Sequence, residues 1–171
     1  MFLNIIKYKA LKKGVAEAIL KSSDQVISSE IQTIGIIIDK KDFSDIKPLK
    51  QALLKQGFSK EQLSFLVYNH DKVTVVGKET WIGSADFTSS GVLKNDEVAS
   101  FLDTEFDLLI NYYDIESLVL LWASSHSKAK LKVGFASVKT HINHFSIELT
   151  TDKYSEYIDE LFKYLQLFKK K

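Results

Sequence analysis

Glu105-Phe106-Asp107-Leu108-Leu109-Ile110-Asn111-Tyr112-Tyr113-Asp114 is the stretch whose reading decides the fold. Its apolar run stops abruptly in a polar and aromatic cluster, as a buried strand does when it leaves a sheet. The next residues place Ile115, Leu118, Val119 and Trp122 at i, i+3, i+4 and i+7, one face of a helix that Asp114 is expected to cap. A second strand pattern follows, Leu131 to Phe135, in which Lys130, Lys132 and Gly134 mark a wetter side. Strand, helix, strand is the unit that joins parallel strands. It predicts an α/β fold: a three-layer sandwich with a mainly parallel, Rossmann-like sheet flanked by helices.

The neighbouring segments extend the same pattern. Ile34-Gly35-Ile36-Ile37-Ile38 is an almost unbroken β-branched run, which suits a strand covered on both faces. Asp42 is expected to cap a following helix that reaches about Gln56, with Asp45 in its first turn; Pro48 argues for a later start. Gln62 to Tyr68 reads as the next strand, and Val73 to Val76 and Trp81-Ile82 as shorter pieces. Asn95 is placed as the cap of a short helix running to Asp103. Residues 144–150 alternate cleanly, as on a sheet margin with one face in water, and 153–168 carry a last helix. At the other end, residues 2–21 read as a helix with an apolar stripe through Leu11, Val15, Ala18 and Ile19, and residues 22–30 as a linker.

With 171 residues and no internal repeat, the chain reads as a single α/β domain, 1–171, in which residues 1–22 form a peripheral helix. The formal net charge of +1 supplies no field for nucleic acid, so no nucleic-acid partner is expected. The absence of cysteine excludes disulfides and thiolate chemistry. All 23 cations are lysines, which excludes bidentate guanidinium recognition of phosphate or carboxylate. Lysines interrupt the first apolar helix, which argues against a secretory signal and against stable membrane contact, so cytoplasmic residence is expected.

Open α/β sheets bind ligands outside the carboxyl ends of their strands. That rule, and no motif, selects Asp39, Asp42, Asn111, Tyr112, Asp114 and Ser137 as ligand-binding candidates. Asp39, Asp42 and Asp45 could together hold Mg²⁺, but capping accounts for the last two. His141 and His144 lack the further ligands that a metal site needs. None of the seven glycines forms a dinucleotide or phosphate loop, and His126 among its serines lacks a nucleophile elbow. Neither catalytic nor metal-binding residues are assigned, and no cofactor is expected.

Several of these segments together resemble a small family of uncharacterised Bacteroidota proteins. They are Phe106 to Tyr112, the helix end Ser125 to Ala129, Lys132-Val133-Gly134-Phe135, Ile34 to Asp39 and the Asp42-Phe43 pair. That resemblance implies an α/β domain and no known activity. Residues 106–135 alone are similar to the N-terminal half of heptosyltransferase-type glycosyltransferases, whose strand runs through an apolar helix and an Ala-Lys pair to a Gly-Phe strand. Those enzymes hold their nucleotide sugar with a second Rossmann-like domain, for which this chain has no room. The function expected is a non-enzymatic binding or interaction module. Two alternatives stand beside it: a small-ligand or nucleotide-sugar binder related to half a glycosyltransferase, and a self-associating protein that forms a homo-oligomer through its terminal helices.

Overall fold

The structure, a computed structural model, describes residues 2–21, 30–70 and 78–169, with side chains from 4 to 167 within those ranges. The elements in chain order are α1 (Phe2–Lys21), β1 (Ile34–Asp39), α2 (Lys47–Lys55), β2 (Leu63–Tyr68), β3 (Thr80–Ile82), α3 (Asp96–Asp103), β4 (Leu108–Tyr112), α4 (Leu118–His126), β5 (Leu131–Phe135), β6 (Phe145–Ile147) and α5 (Tyr154–Lys169). Most of the linker at 22–30, the strand expected at Val73 to Val76 and the side chain of Phe168 lie outside the described residues.

Among the described residues there are six strands, all parallel, in the order β3-β2-β1-β4-β5-β6. This is the order of a doubly wound Rossmann sheet. From β1 the chain winds outward through β2 to β3, then returns to β4 beside β1 and winds outward the other way. The crossover between β1 and β4 is therefore the switch point of the sheet.

Why β1 and β4 sit at the centre follows from their side chains. Every residue of both strands is buried, which only a position covered on two faces permits. On one face Ile34, Ile36, Ile38, Leu108, Ile110 and Tyr112 meet Leu49 and Leu53 of α2 and Tyr157, Ile158 and Leu161 of α5. On the other, Ile37 and Leu109 meet Leu11 and Val15 of α1, Val98 and Phe101 of α3, and Leu120 and Trp122 of α4. Each fully buried Ile or Leu contributes about 2 kcal/mol through area removed from water. At the amino end of the sheet Asp107 ties β1 to β4: its carboxylate accepts from Gln32 N and Thr33 N, both at 3.0 Å, and from Lys130 Nζ at 2.8 Å.

Gly35 is required by packing. A Cβ there would stand 2.7 Å from Cδ2 and 2.9 Å from Cε2 of Phe106, which fills the space in front of the strand. Gly35→Ala is expected to displace that ring and cost about 1–2 kcal/mol, within the range for overpacked cores. Urea unfolding checks this; an unchanged midpoint would show that Phe106 yields freely.

The structure departs from the sequence reading in three places. Helix α2 begins five residues later than Asp42, because Pro48 falls in its first turn, where a missing N–H costs nothing. Asp42 therefore does not cap it, and Asp45 Oδ1 accepts from Lys47 N at 3.0 Å instead. Helix α4 begins after Ser117, so Asp114 is no cap and Ile115 lies 62% exposed before the helix. Lys132 is buried, because α4 covers the face of β5 that alternation marked as wet. The terminal helices lie on opposite faces of the sheet, α1 against α4 and α5 against α2. Leu11 and Val15, the stripe expected in α1, are buried among the side chains of α3 and α4. No helix among the described residues is long and apolar enough to cross a membrane.

Candidate functional site

The carboxyl ends of β1, β2 and β4 converge beside the switch point. Strand β1 ends on Asp39, whose side chain is withdrawn from solvent and 4% exposed. A buried carboxylate must be hydrogen-bonded or paired, and Asp39 is both. Its Oδ1 accepts from Lys41 N at 2.9 Å. Nε2 of His70, two residues past β2, lies 3.0 Å from Oδ1 and 3.1 Å from Oδ2. The imidazole is itself positioned on the Tyr68 ring, with centroids 4.1 Å apart. Lys40 N donates to Tyr68 O at 3.1 Å, and Phe43 N to Asp39 O at 2.9 Å, so the chain turns sharply over the end of β1.

Asp42 stands on this turn. Burial holds its carboxyl above the usual carboxylate range, the charges of Asp39 and Asp114 push it the same way, and Lys41 and His70 oppose them. Asp39 and Asp114, at two strand ends far apart in the chain, are thus both near enough for their charges to act on Asp42.

Asp114 joins that group to the far side of the sheet. Its Oδ2 accepts from Thr151 N at 3.3 Å, and its carbonyl accepts from Ser137 Oγ at 2.7 Å. Beside it, Glu116 Oε1 accepts from Lys139 N and Thr140 N, both at 2.7 Å. Two acidic side chains in the loop after β4 therefore secure the segments that follow β5 and β6.

The other sequence candidates are used internally. Tyr112 is fully buried, donates its hydroxyl to Thr151 O at 2.6 Å, and has Phe43 and Tyr157 edge-on at 5.2 and 5.3 Å. Burial and the nearby carboxylates raise its hydroxyl pKa well above the usual phenol range. Asn111 is 1% exposed and lies on the α4 face. Its Oδ1 accepts from Ser124 Oγ at 2.7 Å and its Nδ2 donates to Asn143 Oδ1 at 2.7 Å. Since the Ser124 hydrogen goes to Asn111, the Tyr113 hydroxyl, 2.7 Å from Ser124 Oγ, is the donor of that pair. A directed chain runs from Tyr113 through Ser124 and Asn111 to Asn143. Gly134 makes room for its last member: a Cβ there would lie 2.3 Å from Asn143 Nδ2.

So the structure brings Asp39, Asp42, Asp114 and Ser137 to one edge, and keeps Asn111 and Tyr112 beneath it as supports. Three participants were missed in the sequence: His70, Glu116 and Thr151. His70 had a signal, since it lies just beyond a strand end, but its pairing with Asp39 spans 31 positions and leaves no local pattern.

The arrangement favours positive charge over phosphate. Asp45 already occupies the amino end of α2 through Lys47 N, where a Rossmann fold would receive a pyrophosphate. Among the described residues no three histidine, aspartate or glutamate side chains converge to hold a metal ion.

The chain matches, over residues 4–168, a family described as a family of unknown function, DUF6913. No curated protein and no solved structure matches it.

Proposed function

The chain belongs to that family of unknown function, and from this premise we propose that it is a non-enzymatic binding module of the cytoplasm that holds a small cationic ligand at the β1–β4 crossover. One observation carries the reading. Burial first, and then repulsion from the charges of Asp39 and Asp114, hold the Asp42 carboxyl above its ordinary range, and Lys41 and His70 oppose them. An ammonium group placed there relieves that repulsion and gains charge-assisted hydrogen bonds. The folds that bind ligands at strand ends supply the prior for the place. The same carboxylates, and the lack of arginine, disfavour a nucleotide sugar, whose diphosphate would meet like charge.

Calorimetric titration of the whole chain with spermidine, with magnesium chloride and with a nucleotide sugar separates the readings. Spermidine is expected to bind. Because the cation favours ionised Asp42, whose pKa is raised, affinity should fall as pH drops through that pKa. Asp42→Asn should weaken binding by about tenfold, the equivalent of one charge-assisted contact. Heat from the nucleotide sugar alone, or none from spermidine, overturns the proposal.

A further inference from the structure

The outward side of α1 is a second surface, with a chemistry different from that of the crossover. The helix meets the body through Leu11 and Val15, which are buried in the core that contains Trp122 of α4. Gly14 allows a close approach there: a Cβ on it would stand 3.0 Å from Trp122 Nε1. On the opposite side Ile6, Lys9, Lys13, Ala16 and Leu20 follow one another at steps of three and four, which stacks them into one stripe along the helix. All five are exposed, Leu20 to 85%. Among the described residues eight large apolar side chains are exposed, and four of them, Ile5, Ile6, Tyr8 and Leu20, are on α1. A fifth, Val92, follows Gly91, where an added Cβ would lie 2.9 Å from Ala10 Cβ of the same helix. Positive charge is concentrated there as well. Residues 2–21 hold five lysines and one glutamate, while the whole chain carries only +1, so the rest of the chain is net acidic. Of these lysines, Lys7 donates to Ser84 O at 2.9 Å, and Lys13 lies 3.7 Å from Glu17 in an exposed pair.

We propose that α1 is a reversible anchor to a bilayer surface that carries anionic lipid. The stripe lies flat on that surface. Ile6 and Leu20, about 21 Å apart along the axis, enter the boundary between headgroups and acyl chains, and Lys9 and Lys13 between them reach the lipid phosphates. A stripe of lysine alone would suit any polyanion, and a stripe of apolar residues alone would suit another protein. The mixture of the two is what a boundary between water and hydrocarbon accommodates, because lysine stems lie along apolar surface while their ammonium groups stay in water. The excess of lysine supplies the attraction to anionic lipid. In the sequence these lysines only interrupt an apolar pattern; in the fold Leu11 and Val15 are taken by the core, and the lysines belong to the face that is left. A second copy of this chain is a poor occupant, because packing two such stripes face to face brings two sets of lysines together.

Sedimentation of the full chain with lipid vesicles tests this, one set made of phosphatidylcholine alone and one containing about a quarter of phosphatidylserine. The chain should pellet with the anionic vesicles and stay in solution with the neutral ones, and binding should weaken as salt rises. Lys9→Gln combined with Lys13→Gln should weaken binding by about tenfold, since it removes two charges near the phosphates. Ile6→Ser combined with Leu20→Ser should weaken it by about the same factor, since it removes the inserted apolar area. Asp42→Asn should leave it unchanged, which separates the anchor from the crossover site. All four substituted side chains of α1 face solvent, and circular dichroism confirms that the variants fold. If one does not, the ranking of the two vesicle sets and the salt dependence decide the matter. Equal binding to both sets, binding to neither, or unaltered binding by the folded variants overturns the proposal. A lysine variant that loses binding beside an apolar variant that keeps it also overturns it, because that marks a site for polyanions in general. Dimerisation without lipid that the apolar variant abolishes does so too, because it makes a second copy the occupant.

Discussion

Replacing Asn111 by alanine is expected to lower stability by about 3 kcal/mol, near the top of the range for a single buried polar side chain. Asn111 is the middle of the chain Tyr113–Ser124–Asn111–Asn143 and is almost wholly inaccessible. Its removal takes away the acceptor of the Ser124 hydroxyl and the donor to Asn143 at once. It also opens a gap between β4 and α4 too small to close without moving the helix. Two orphaned partners cost more than the one lost side chain, because each remains desolvated. Tyr113→Phe removes only the terminal donor and should cost about 1 kcal/mol. Urea unfolding at neutral pH measures both. A loss below about 1 kcal/mol for Asn111→Ala would mean that water or a rotated Ser124 restores the bonds, and that the chain does not brace the sheet.

Lys132 is expected to make the protein more stable as pH rises from 8 toward 10, against the usual trend. Its side chain is 7% exposed, and its ammonium donates to Ser124 O at 2.8 Å and approaches Ser125 O at 3.5 Å near the carboxyl end of α4. Burial pushes its pKa down to about 8 from the ordinary 10.5. Below pH 8 the folded chain carries a charge that it would rather shed, so this contribution to stability is absent. As pH passes 8 the folded state releases the proton before the unfolded state does, and stability grows by about 2 kcal/mol by pH 9.5. Above pH 10 the buried hydroxyls of Tyr112, Tyr113 and Tyr157, whose pKa values are all raised, reverse the trend, since the unfolded state ionises them first. Urea midpoints should therefore rise between pH 7 and 10 and fall above pH 10. Lys132→Met should remove the rise and be more stable than the parent chain at pH 7, because it replaces a buried unpaired charge by a thioether of similar length. A flat profile in the parent chain would show that the Ser124 and Ser125 carbonyls and the dipole of α4 compensate the burial in full.

Much of the architecture was legible in the sequence because it rests on local signals. The β-branched run of β1, the apolar run of β4 and the alternation in β6 each report how many faces of a strand are covered. Asn95 caps α3 as its spacing indicates, accepting from Glu97 N and Val98 N. The helix starts after Asp42 and Asp114 were not legible in the same way. Aspartate serves equally as a cap, as an acceptor inside a turn and as a member of a charged cluster. Asp45 took the turn role beside α2, and Asp114 took its partner from Thr151, 37 positions away. Lys132 was misjudged for a related reason: alternation in a strand identifies two faces, but only the arrival of α4 decides which of them water reaches.

The candidate site divides along the same line. Strand-end logic placed Asp39, Asp42, Asp114 and Ser137 at one edge without any motif. It could not separate them from Asn111 and Tyr112, which lie on the same strand as the site but point into the two cores.

By itself, then, the sequence determined the α/β class, the central place of the Leu108 to Ile110 run and the excluded chemistries, because hydrophobic periodicity and composition are properties of neighbours along the chain. Only the tertiary structure decided that Asp39 pairs with His70, that the charges of Asp39 and Asp114 reach Asp42, that Lys132 is buried, and that β6 stands at the margin of the sheet. Each of these depends on distances between residues remote in sequence, and those distances exist only once the strands have taken the order 3-2-1-4-5-6.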